Sequence, residues 1–140
     1  MKTRFSSLVK LKKSNVQKSE RVVQQANVDF QSASKALESA YASILDIESP
    51  RYGSMGDFLV SKTLLSFARG SVKHNQEWLE FTKTQLDQAK HKLKLDMIEY
   101  EKFNHLELQE IQKEIKKLKL QEAKDLDEVA LMTHNIKARN

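Results

Sequence analysis

The chain contains no cysteine, and only three glycines and one proline among its 140 residues. The missing cysteine excludes disulfide frameworks, thiol catalysis and cysteine-ligated zinc. The scarce punctuation excludes much more. Pro50, Gly53, Gly56 and Gly70 all fall between positions 50 and 70. Sandwiches, barrels and βαβ folds need turn residues roughly every 8–12 positions, and this chain cannot supply them. Hydrophobic residues are also few, at 39% against 31% charged, a balance that suits long solvated helices rather than a deep core. No run approaches the ~18 apolar residues of a membrane span. The basic start, Met1 to Lys10, is interrupted by lysine before an apolar stretch of signal-peptide length forms. The expected location is therefore cytoplasmic.

What is present is a heptad pattern with one break. Around Glu48-Ser49-Pro50-Arg51-Tyr52-Gly53-Ser54-Met55-Gly56-Asp57, proline disfavours helix at the preceding residue, the glycines permit a reversal, and Asp57 is a good N-cap. The expectation is helix 1 over about 3–48, a tip loop over 49–56, and helix 2 over about 57–137, in one coiled-coil domain spanning 1–140. In helix 1, Val9, Val16, Val23, Phe30, Leu37 and Ile44 recur at strict sevens; three residues on come Lys12, Ser19, Ala26, Ala33, Ala40 and Ile47. In helix 2, Phe58, Leu65, Val72, Leu79, Leu86, Leu93 and Tyr100 recur likewise, followed at three by Ser61, Ala68, Asn75, Thr82, Ala89, Asp96 and Phe103. A 3.5-residue period predicts an all-α, left-handed, antiparallel two-helix coiled coil.

Folding at the break with Ile47 opposite Phe58 sets Ala40 against Leu65, Leu37 against Ala68, Ala26 against Leu79 and Phe5 against Tyr100. Most layers then join one large and one small residue. The two charged seam residues, Lys12 and Asp96, are expected to pair and fix the register. Beyond Tyr100 the strict seven fails at Glu107, and a stripe of Leu108, Ile111, Ile115, Leu118, Val129, Met132 and Ile136 resumes out of phase, a stutter. Helix 1 runs out at about that point. Residues from about 105 to 140 are thus expected to overhang, some 50 Å of helix at 1.5 Å per residue.

Chemistry is not encoded in any recognisable constellation. His74, His91, His105 and His134 show no HExxH pair, and Gly53 and Gly56 open no phosphate loop. A two-helix rod has no pocket to dry out a reaction. The expectation is a non-enzyme with no cofactor, no metal and no small-molecule substrate. Two surfaces remain for partners. Near the tip, Phe67, His74 and Phe81 lie at sevens off the seam, with Leu64 and Trp78 on an adjacent stripe and Tyr41 and Leu45 on helix 1; they either cover the flanks of the seam or form a docking face. At the other end, residues 1–21 hold seven basic residues against one acidic, and residues 113–140 seven against five. A solvated charged face explains these lysines. A nucleic-acid interface would want stacking aromatics, and Phe5 is the only one there, so nucleic acid is not an expected partner.

The run Phe5-Ser6-Ser7-Leu8-Val9-Lys10-Leu11-Lys12-Lys13, followed by Val16 and Glu20, resembles the opening of the FliJ family of flagellar export proteins. Lys124-Asp125-Leu126-Asp127-Glu128-Val129-Ala130 resembles that family's carboxy-terminal Lys-x-hydrophobic-Asp-Glu-hydrophobic-Ala stretch. The resemblance implies a soluble part of the flagellar type III export apparatus, similar to the stalk of rotary ATPases. It implies that the end carrying both termini enters the hexameric export ATPase, with Phe5, Leu8, Lys12, Leu126, Asp127, Glu128 and Val129 as contacts. It further implies that a face nearer the tip, here Tyr41, Leu64, Phe67 and His74, meets the cytoplasmic domain of the membrane export gate. Escort of export chaperones and peripheral attachment at the inner face of the cell membrane complete the picture. The competing reading is a generic coiled-coil adaptor or self-associating scaffold, in which the overhang pairs with its copy in another chain.

Overall fold

A computed structural model describes residues 2–47 and 52–139. Two helices account for almost all of them: α1, Ser6–Leu45, and α2, Met55–Arg139. They pack against each other as a two-helix hairpin coiled coil, with no strand among the described residues. Residues 48–51, which hold the proline break and the expected end of helix 1, lie outside the described residues. Helix 1 stops three residues earlier than expected, and helix 2 begins two residues earlier.

Both helices start on reciprocal caps, which satisfy backbone donors that no helix can satisfy itself. At α1, Thr3 Oγ1 accepts from the Phe5 amide at 3.2 Å, and Ser6 Oγ accepts from the Thr3 amide at 2.8 Å. At α2 the cap is Ser54, not Asp57. Ser54 Oγ accepts from the Asp57 amide, and Asp57 Oδ2 accepts from the Ser54 amide, each at 3.3 Å. Asp57 is thus the third helical residue of a capping box, where its charge also favours the helix dipole. Gly53 makes room for this arrangement. Its φ is +141°, and a Cβ there would lie 2.9 Å from Asp57 Oδ2, so only glycine fits.

The chain divides into two compact units, Val16–Asp96 and the pair of segments 1–15 and 97–140. In the first, the small seam residues Ser19, Ala26, Ala33, Ala40, Thr82 and Ala89 are buried, together with Val72 and Leu86. The larger seam residues Val23, Phe30, Leu37, Ile44, Leu65 and Leu79 are half-buried. Small residues let two backbones approach closely, and the larger side chains wrap over the joint. Phe58 departs from the expected seam: it is 52% exposed.

The register differs from the sequence expectation by one heptad. Ala26 clusters with Leu86 and Ala89, with Val23 and Phe30 packed against them; the sequence alignment had set Ala26 against Leu79. A seven-residue slip leaves every seam residue facing inward, so apolar periodicity alone cannot choose between the two. Polar residues can. In the observed register Ser19 Oγ donates across the joint to Asp96 Oδ2 and Lys12 Nζ reaches Glu99 Oε2; Lys92, four residues before Asp96 on the same helix, lies 3.9 Å from that carboxylate oxygen. The expected pair of Lys12 with Asp96 is therefore replaced: Asp96 takes Ser19 and Lys92.

In the second unit none of the described residues is buried. Lys12 Nζ lies 3.8 Å from Glu99 Oε2 and 5.5 Å from the centre of the Phe103 ring. Ser6 Oγ donates to Glu107 Oε1 at 2.8 Å, and Arg4 lies 3.8 Å from Glu110. Half-burial on α2 continues to Ile111, and every residue from 112 to 138 is exposed. α1 thus covers α2 as far as Ile111 rather than to about 104, because the slipped register carries α1 one heptad further along α2.

Candidate functional site

The exposed end of α2 combines helical order with a bare apolar side. Leu118 is 52% exposed, Leu126 70% and Val129 58%. In a soluble chain, apolar residues repeated at helical spacing normally face a core. Here nothing among the described residues covers them. Asp127 and Glu128 lie beside them, exposed and without an ion pair among the described residues.

The candidate residues at this end do not form one cluster. Phe5 is half-buried, with the Arg4 guanidinium 4.9 Å from its ring centre. Leu8 is 39% exposed. Lys12 sits in the seam beside Glu99 and Phe103, where it braces the helix pair. Arg4 marks where α1 begins, and it meets α2 at Glu110. Leu126 lies sixteen residues beyond Glu110, about 24 Å of helix. Phe5 and Leu8 therefore form one patch, and residues 126–129 another.

The tip candidates also separate. Gln76 Nε2 donates to Tyr41 Oη at 2.6 Å, which places Tyr41 beside the turn that carries His74. Leu64 is twelve residues from Gln76, or about 18 Å along the helix. Leu64 and Phe67 are exposed, Phe67 at 81%, and Phe67 borders an open hollow with Leu59, Lys62, Thr63 and Ser66. Trp78 and Phe81, named with the tip face but not among the expected gate contacts, stack with ring centres 5.4 Å apart. Their spacing of three is a signal that could have paired them.

No group of three or more metal-binding side chains occurs among the described residues, and no described helix is long and apolar enough to cross a membrane. What these surfaces offer is contact area. No curated protein and no solved structure matches the chain. One family model does, under the description "Flagellar FliJ protein", and it takes in residues 1–139. A match of that extent runs from the capped start of α1 to the last turn of the bare overhang, and by it the chain belongs to the FliJ family.

Proposed function

We propose that this component of the flagellar export apparatus acts as a stalk, with its bare α2 end inside the ring of the export ATPase and its tip toward the cytoplasmic domain of the export gate. One observation carries the reading: residues 112–138 stay helical and fully exposed while presenting apolar side chains in a row. Exposed apolar surface arranged on one face is the mark of an interaction site. Leu126 and Val129 supply its apolar contact, Asp127 and Glu128 its charge, and Phe5 and Leu8 form a second patch nearer the mouth of the ring.

The gate contact is assigned to two patches, Tyr41 with His74 and Leu64 with Phe67. Export chaperones are further partners in the same reading. The protein works in the cytoplasm, at the inner face of the cell membrane beneath the flagellum. It performs no chemistry; it biases the states of a hexamer whose six-fold symmetry it does not share.

The test is ATP turnover by the ATPase of the same organism. Turnover rises when the full chain is added. It stays at the basal value with a chain ending at residue 111, or with Leu126→Ser/Val129→Ser in the full chain, provided circular dichroism shows the helix pair intact. Stimulation by either variant equal to that of the full chain overturns the assignment.

A further inference from the structure

The bare stripe on α2 has an interruption of one sign. Ile115 and Leu118 precede it, and Val129, Met132 and Ile136 follow. At three-and-four spacing, the positions that continue the stripe between Leu118 and Val129 are Glu122 and Asp125. At 3.6 residues per turn both fall within the arc that the apolar side chains occupy. Asp125 accepts a bond from Gln121 Nε2 at 3.1 Å. Neither carboxylate makes an ion pair among the described residues. With Leu126 and Val129 they line an open hollow of about 340 Å³.

We infer that this hollow seats a cationic side chain, arginine or lysine, carried by an amphipathic helix of the partner, and that the same two carboxylates keep the overhang from pairing with a second copy of itself. The inference rests on the reading that a partner protein grips the overhang. Any helix that covers both Leu118 and Val129 must also close over Glu122 and Asp125. Closing over a carboxylate strips its water, which is unfavourable unless an opposite charge or a donor replaces it. A guanidinium supplies charge and a fork of donors together.

A second copy supplies the wrong sign. A parallel copy in register sets Glu122 against Glu122 and Asp125 against Asp125. An antiparallel copy centred on the hollow sets Glu122 against Asp125. Polar residues inside a coiled-coil seam are known to choose partners in this way.

The test uses the full chain in two arms. In the first, sedimentation velocity compares the wild type with Glu122→Leu/Asp125→Leu. The wild type sediments as a monomer of 16.2 kDa, and the variant, with its stripe made continuous, sediments as a dimer. Both positions are exposed, so the fold is not at stake, and circular dichroism checks it. In the second arm, binding to the assembled export ATPase is measured against salt. Glu122→Gln/Asp125→Asn binds at least about tenfold more weakly, with a shallower salt dependence, and Glu122→Arg/Asp125→Arg binds more weakly still. A monomeric Glu122→Leu/Asp125→Leu variant, a dimeric wild type, or wild-type binding by the neutralised pair overturns the inference. A wild type that fails to bind the ring overturns the ATPase reading instead, and the first arm then decides this inference alone.

Discussion

The two compact units are built from the same two helices by different means. All of the buried residues among those described belong to Val16–Asp96, where alanine, serine and threonine on one helix meet larger side chains on the other. In 1–15 and 97–140 the helices meet through Lys12 with Glu99, Arg4 with Glu110 and Ser6 with Glu107. Close packing gains dispersion and excludes water whatever the ionic strength. Exposed ion pairs gain little and fade with salt. The difference teaches that the unit carrying the overhang is the one whose helix pair opens more readily.

The comparison can be broken at several points, taken here from the largest expected effect to the smallest. Leu86→Ala removes the largest buried side chain of the Ala26 cluster and destabilises by about 2–4 kcal/mol, read as a lower urea midpoint. A loss under about 1 kcal/mol would mean that packing does not dominate Val16–Asp96. Ser19→Ala leaves Asp96 without its buried donor and destabilises by roughly 1–3 kcal/mol. It also weakens the choice of register, which disulfide trapping reads in this cysteine-free chain: Ala26→Cys/Leu86→Cys bridges in the parent, and Ala26→Cys/Leu79→Cys gains ground once Ser19 is gone. Ser54→Ala opens the α2 capping box and costs about 1 kcal/mol by the same urea titration. Glu110→Gln removes the partner of Arg4 and costs at most about 1 kcal/mol at low salt, and nothing measurable at high salt. Val129→Ser changes stability by no more than about 0.5 kcal/mol, because nothing in the chain packs on it.

Much of this architecture was legible in the sequence because a period of seven is a strong signal. Of the expected seam residues, the described ones are buried or half-buried, with Phe58 the exception. The register was not legible. Large-with-small layers arise in two alignments one heptad apart, and the observed one is marked by cross-helix polar contacts, Ser19 with Asp96 and Lys12 with Glu99. Reading Lys12 and Asp96 as each other's partners followed from the wrong alignment. The same slip explains two further misses. Phe58 is exposed, and α1 covers α2 as far as Ile111 rather than to about 104. The α2 cap was misplaced because both Ser54 and Asp57 are good capping residues and the sequence does not say which leads. At the candidate sites, the tail residues stood out as a repeated apolar pattern, whereas Tyr41 meets Gln76 rather than the surroundings of Leu64 for the same register reason.

Residues 112–138 are already wound into helix although no other element among the described residues covers them. An unstructured tail of equal length would surrender roughly 1–2 kcal/mol of backbone freedom per residue on being grasped. A wound one has surrendered most of that beforehand. More of its contact energy is therefore left for holding on, and a push delivered at one end of such a segment travels along its hydrogen-bonded turns instead of being lost in slack.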